Sequence, residues 1–455
     1  MLKVMRRGTS LVSCLLLSLV AMAKGPFDRA VLHGETDKER AIDYAPGEEM
    51  AFTLSLQGAE AFAEGQYFVK WTRTGDDGKQ EKGRVDAKAL PLTVRTKLDQ
   101  PGFVRLEAYV VDAKDGTYRK SFSGDSSTPE GKKALNAFES GDRRVFFDGG
   151  AGVKVDELQS VPEPEDFDEF WAKRKERLAK VPMTATVKEH GSSDPAVKVL
   201  SFSVACAGPR PVTGWVTVPT DATRKYPALS GFHGYGAHFI QSIPGSGPTD
   251  RIHMFINAHG YELEREEEYY TEFYDSIKSN GRTFGLDSEW QNRSTDTAYF
   301  GWMCYRIMRA LQYLKSLPEW DGKNLAAEGG SMGGLQAIWA AGLDPDVRAV
   351  KANIPWCCDM GGRETLKRVQ PTWGVGETEA MRYFDPVNMA LMVNPKCRVE
   401  ITRAGLGDYC CPPSGIAVLY NNLKCPKKIN WVQGSTHGYV PEEEHQHFAL
   451  TENWD

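Results

Sequence analysis

Residues 329–334 read Gly329-Gly330-Ser331-Met332-Gly333-Gly334, between the apolar run Leu325-Ala326-Ala327 and the helix-like run Leu335-Gln336-Ala337-Ile338-Trp339-Ala340-Ala341. A serine in a G-x-S-x-G turn from strand to helix needs small neighbours. A Cβ at the flanking positions would strike the adjacent strand and helix, while the serine Oγ is pushed into open space. The motif therefore dictates a strand–turn–helix unit and offers Ser331 as a nucleophile. On their own, the same glycines could serve close packing alone, so the partners of a nucleophile have to be sought elsewhere in the chain.

The chain has 455 residues, 41% hydrophobic and 25% charged, which is enough for two or three packed domains. A net charge of −6 gives no general attraction to nucleic acid or anionic lipid, so neither is expected as a partner. Lys3, Arg6 and Arg7, the apolar stretch Leu11 to Val20 and then Ala21-Met22-Ala23 form the three parts of a secretory leader over residues 1–23. Export or periplasmic location follows. The alternative reading of Leu11-Val12-Ser13-Cys14 as a lipid-attachment box lacks the apolar run such a box needs. No later segment is long and apolar enough to span a bilayer.

Of nine cysteines, Cys14 lies in the leader, and Cys206, Cys304, Cys357, Cys358, Cys397, Cys410, Cys411 and Cys425 all follow residue 200. Export permits disulfides, yet the spacing selects no pairing. No C-x-x-C pair occurs, and adjacent cysteines chelate poorly, so no metal is expected. Nothing else in the sequence calls for a cofactor.

From residue 24 to about 158 the pattern is β-like. Met50, Phe52, Leu54 and Leu56 alternate, as do Tyr67, Val69 and Trp71, and Val104, Leu106, Ala108 and Val110. Turn pairs such as Asp77-Gly78 and Pro101-Gly102 separate these runs, predicting a small β-sandwich of Ig-like size. Trp71, in an alternating strand, is expected in its core. Ser123 to Arg143 reads as a long loop or a short helix. After the connector Val161-Pro162-Glu163-Pro164-Glu165, the residues Phe167, Trp171, Arg174 and Leu178 share one helical face and open a second domain, residues 159–455. Two β-like runs, Ala196 to Ala205 and Val212 to Val218, imply an antiparallel start. Strands and helices then alternate, which is an α/β three-layer plan. The acidic and aromatic segment Glu262 to Tyr274 reads as a solvated loop or lid edge.

Downstream of Ser331, the strand Arg398 to Thr402 is followed by Asp408, and the strand Ile429 to Val432 by His437. In an open α/β sheet the ligand crevice lies beyond the carboxyl ends of the strands, so all three residues reach one rim. Asp408 and His437 are separated by one strand–helix–strand unit, the gap expected between acid and base on neighbouring loops. Asp359 and Asp385 are rival acids. His233-Gly234-Tyr235-Gly236, after an earlier strand, can aim the Tyr235 N–H beside that of Met332, the residue after the nucleophile, as an oxyanion hole. Trp356, Trp373 and Tyr409 are candidates for contacting substrate rings.

The elbow, His233-Gly234-Tyr235, Asp408 within Gly405-Leu406-Gly407-Asp408, Cys411-Pro412-Pro413-Ser414 and the entry segment Pro164-Glu165-Asp166-Phe167-Asp168-Glu169-Phe170-Trp171 together resemble the acetyl xylan esterase and cephalosporin C deacetylase family over residues 160–455. The resemblance implies an α/β-hydrolase that removes acetyl groups from polysaccharides or oligosaccharides, with Ser331, Asp408 and His437 as triad and the Tyr235 and Met332 amides as oxyanion hole. It also implies a ring-shaped homo-oligomer. Met332 stands where the family usually has Gln, and His259-Gly260-Tyr261 where it usually has Arg-Gly-Gln. The second departure and the additional N-terminal β-domain stand against the usual ring. Two other readings of the chain are a secreted serine peptidase or other acyl hydrolase of the same fold, and an inert carbohydrate-binding protein.

Overall fold

The computed structural model describes residues 30–58, 62–122, 125–140, 143–236, 240–369 and 371–454. The leader expected at residues 1–23, with Cys14, lies outside them. Among the described residues, seven strands fill the N-terminal part: β1 (Val31–Thr36), β2 (Glu49–Gln57), β3 (Tyr67–Gly75), β4 (Gln80–Asp86), β5 (Leu92–Lys97), β6 (Gly102–Asp112) and β7 (Phe146–Val153). They form two antiparallel sheets, β1-β2-β5 and β4-β3-β6-β7. The period-2 patterns have the expected consequence, since Phe52 and Leu54 from one sheet and Val69, Val104 and Leu106 from the other are buried in a shared cluster. Trp71 is half-buried against that cluster, its ring lying over Gly83. The segment read as a loop or short helix contains the helix α1 (Pro129–Ser140).

The second part begins with α2 (Phe167–Ala179), whose buried residues are Phe167, Trp171, Arg174 and Leu178, the predicted face. Ten strands then build one sheet: β8 (Ala185–His190), β9 (Val197–Val204), β10 (Val212–Pro219), β11 (Tyr226–Phe232), β12 (Ile252–Asn257), β13 (Trp320–Gly330), β14 (Val347–Asn353), β15 (Arg398–Gly405), β16 (Lys427–Val432) and β17 (His447–Glu452). The sheet order is β17-β16-β15-β14-β13-β11-β12-β10-β9-β8. Strands β12, β11, β13, β14, β15 and β16 run parallel, while β8, β9 and β10 on one side and β17 on the other are antiparallel to their neighbours.

Between these strands lie α3 (Glu267–Ser276), α4 (Tyr299–Ser316), α5 (Met332–Leu343), the single turns α6 (Glu379–Arg382) and α7 (Pro386–Met389), and α8 (Pro413–Asn422). Helix α5 is buried along its whole length, as a helix apolar on every side must be. Of the acidic segment expected to be a solvated loop or lid edge, residues 262–266 lie outside any helix, whereas the part from Glu267 on belongs to α3, where Tyr270 and Phe273 fall on one face and are buried. No described helix is long and apolar enough to cross a membrane.

The N-terminal sheets are packed against the larger one. Phe103 of β6 and Ile42 join the core of the larger sheet, with the Phe103 ring 5.6 Å from that of Trp431. Gln433, just after β16, donates to the Gly150 carbonyl at 2.8 Å and accepts from the Gly150 N–H at 2.9 Å. Arg105 makes a two-pronged pair with Asp148 (2.9 and 2.6 Å) and lies 4.2 Å over the Tyr409 ring. Gly407 sits so close to β7 that a Cβ there would be 1.9 Å from the Asp148 carbonyl oxygen.

This contact is testable. Gly407→Ala should lower stability in urea by about 1–3 kcal/mol, the range for overpacking a close contact. Gly191→Ala, where a Cβ would meet nothing within 4 Å, should change it by less than about 0.5 kcal/mol. Equal midpoints for the two variants would contradict the packing.

Candidate active site

Strand β13 ends at Gly330 and α5 starts at Met332, which leaves Ser331 to make the whole turn at φ 56°, ψ −119°. Such a backbone costs a non-glycine residue about 1–3 kcal/mol and persists only when its surroundings hold it. Here the Ser331 N–H donates to the Asn353 carbonyl at 2.9 Å, and the Ser331 carbonyl accepts from Leu335 (3.0 Å) and Trp356 (3.1 Å). The glycines are required by contact. A Cβ on Gly329 would lie 2.5 Å from the Gly333 carbonyl carbon, and one on Gly333 would lie 2.3 Å from the Phe232 carbonyl oxygen. Ser331 is half-buried, and its hydroxyl has no hydrogen-bond partner among the described residues.

Phe232 pairs with Gly329 in the sheet, so the loop after β11 is brought beside the elbow. Two buried histidines brace that loop. His233 Nδ1 meets the Gly234 carbonyl at 2.7 Å, and the Ala258 N–H donates to His233 Nε2 at 3.3 Å. Because a carbonyl can only accept, the proton is on Nδ1. His259 Nε2 meets the Gly236 carbonyl at 2.9 Å and its Nδ1 meets the Tyr299 hydroxyl at 2.8 Å, which places that proton on Nε2. Burial pushes His233 down to about 4 and His259 well below the usual imidazole range, so both rings are neutral. Arg306 and Arg210 donate to the carbonyls of Ala258 and His259. The His259-Gly260-Tyr261 departure thus has its own means of holding the loop, one that shows in the sequence only as a second His-Gly pair.

The Tyr235 ring is stacked on Phe284 at 4.2 Å and meets Trp373 edge-on at 4.4 Å, while its hydroxyl donates to the Phe284 carbonyl. Of the three aromatics expected at substrate rings, Trp373 is half-buried beside Tyr235. Trp356 and Tyr409 are buried, with Trp356 stacked under Trp373 and Tyr409 covered by Arg105. Neither of these two offers a free ring face.

Asp408 is completely buried after β15, and His437 is partly exposed on the loop after β16. Asp408 Oδ2 is 3.0 Å from His437 Nδ1, while its Oδ1 accepts from the N–H groups of Cys410 and Cys411, each at 3.0 Å. In the neutral ring this arrangement puts the proton on Nδ1 and the lone pair on Nε2. Asp408, followed by the Cys410 thiol, holds the His437 pKa above the usual imidazole range. The Cys411 thiol and His437 draw Cys410 below the usual thiol range. The structure thus brings Asp408 and His437 together, whereas Ser331 and His437 are not hydrogen-bonded to each other.

The rival acids have other tasks. Asp385 accepts from the N–H groups of Asp359, Met360 and Val387, and Asp359 pairs with Arg368.

The family model described as acetyl xylan esterase (AXE1) matches residues 155–453. The acetyl esterase Axe7A of Xylanibacter ruminicola is 30% identical over 279 residues, a stretch covering 58% of this chain and 61% of that protein. The crystal structure of acetyl xylan esterase 1 from Thermoanaerobacterium sp. JW/SL YS485 superposes with a TM-score of 0.50 at 21% identity, covering 64% of this chain and 94% of that one. That likeness speaks to the fold, which is the mixed α/β fold of the α/β-hydrolase esterases. By the match over residues 155–453, the chain belongs to the acetyl xylan esterase (AXE1) family.

Proposed function

We propose that this chain is a carbohydrate acetyl esterase that hydrolyses O-acetyl groups on xylan or related oligosaccharides by acyl transfer through Ser331. The observation that carries this reading is the pairing of Asp408 with His437 at 3.0 Å on the loops following β15 and β16, in the same sheet whose β13 ends in the Ser331 elbow. His437 Nε2 takes the Ser331 proton as Oγ attacks the acetyl carbonyl. It gives that proton to the departing sugar oxygen as the acyl-enzyme forms, then takes one from the attacking water and returns it to Ser331 Oγ as acetate leaves. Asp408 holds the ring and balances the imidazolium charge. The tetrahedral oxyanion is received by the N–H of Tyr235, on the braced loop, and by that of Met332, which at the first position of α5 has no intrahelical acceptor.

Residues 24–158 are taken as a β-sandwich domain of Ig-like size that supports the catalytic domain from residue 159 on, and the leader as the signal for export. Of Trp356, Trp373 and Tyr409, Trp373 is the one left accessible to meet a sugar ring.

Acetate release from acetylated xylan and xylo-oligosaccharides tests the reaction. Ser331→Ala should lose at least about 10⁴-fold in turnover with its fold intact. Parent-like release by that variant, or cleavage of peptide amides in place of acetyl esters, would refute the reading.

The pH dependence has a definite sign. His437 accepts a proton only when neutral, and Asp408 and Cys410 both favour its charged form. The value of kcat/KM should therefore rise with pH through an apparent pKa above the ordinary imidazole value of about 6.5. Cys410→Ala should move that limb to lower pH. A limb unmoved by the substitution would show that the thiol has no influence on the base.

A further inference from the structure

We propose that Cys410, Cys411 and His437 form a site for a thiophilic divalent cation such as Zn²⁺, and that filling it switches the esterase off. Adjacent cysteines alone make a poor chelate, but the fold adds a third donor from a different loop. One ligand atom from each of the three residues lies within 4.8 Å of the others, and Cys411 Sγ is 3.8 Å from His437 Nδ1. No other group of three or more His, Cys, Asp or Glu ligands meets that spacing among the described residues. Tetrahedral Zn²⁺, with bonds of about 2.3 Å to sulfur and 2.0–2.1 Å to nitrogen, sets its ligand atoms about 3.5–3.8 Å apart. Closing the set therefore takes side-chain movements of about 1 Å.

The backbone is already fixed, because the Cys410 and Cys411 N–H groups both donate to Asp408 Oδ1. Cys411 is buried, whereas Cys410 and His437 are half-buried, so the site is shielded on one side and reachable from the other. Two thiolates and one imidazole are the donor set of a borderline-soft cation and leave a fourth position for water. The other adjacent pair, Cys357-Cys358, lacks such a histidine.

Binding needs both thiols ionised and the imidazole neutral, so affinity increases with pH. Inhibition follows from either mode of ligation. A cation on Nε2 occupies the lone pair that receives the Ser331 proton, and a cation on Nδ1 breaks the hydrogen bond to Asp408. The inhibitory half of this inference rests on His437 being the base, while the metal site itself does not.

The test uses the reduced full chain, free of chelator. Titration with Co²⁺ should produce a thiolate-to-cobalt absorption band saturating at one ion per chain, and Zn²⁺ should displace it. Aryl acetate turnover should fall in step with Zn²⁺ occupancy and return on adding EDTA. Loss of an outer-shell partner already weakens metal sites by 10–100-fold, so Cys410→Ser and Cys411→Ser should each weaken binding by at least about tenfold. An unchanged cobalt band in the double variant, or no band at millimolar Co²⁺, would overturn the site. Full occupancy with unchanged turnover would overturn the switch. Were the esterase reading itself wrong, the metal-free chain would lack turnover while the cobalt titration still reported on the site.

Discussion

The closeness of three backbone segments at the end of β13 is the constraint on which the rim of this sheet depends. Gly329, Gly333 and the Phe232 carbonyl approach one another within distances that leave no room for a Cβ. That approach forces the whole change of direction onto Ser331 and puts its backbone into a strained region. It also fixes the spacing between the elbow and the loop after β11, so the Tyr235 and Met332 N–H groups are carried by neighbouring segments. The local cost is offset by the hydrogen bonds of Ser331 to Asn353, Leu335 and Trp356 and by the burial of α5 along its length.

The loops that carry Asp408 and His437 have a second support, from the N-terminal sheets. Gly407 lies against the Asp148 carbonyl, Arg105 spans from Asp148 to the Tyr409 ring, and Gln433 is clasped by Gly150. Gly407 immediately precedes Asp408, and Gln433 lies four positions before His437. Movement of the N-terminal sheets relative to the larger sheet would therefore shift both members of the Asp408–His437 pair. Asp148 is buried and Arg105 is its partner, so a broken pair would leave an uncompensated charge at this junction.

Much of this was legible in the sequence because local rules carried it. The glycine spacing around Ser331 encodes a steric requirement, the alternation in β2 and β6 encodes a buried face, and the 3.6-residue spacing of Phe167, Trp171, Arg174 and Leu178 encodes the buried stripe of α2. What was not legible depends on contacts between distant segments. Trp356 and Tyr409 stand in loops near the rim and read as ring platforms, but Trp373 covers one and Arg105, from the N-terminal sheets, covers the other. The bracing role of His259 depends on Gly236 and Tyr299, which no spacing rule connects to it. The acidic stretch that includes the start of α3 reads as loop because charge dominates its composition, while Tyr270 and Phe273 at helical spacing make its second half a helix.

The proposed mechanism makes Ser331 the residue that His437 renders nucleophilic. Labelling the reduced chain with a fluorophosphonate and mapping the modified peptide by mass spectrometry tests it most directly. The expected result is a single adduct on Ser331 that fails to form in His437→Ala. An adduct on another residue, or one on Ser331 that forms equally fast without His437, would contradict it.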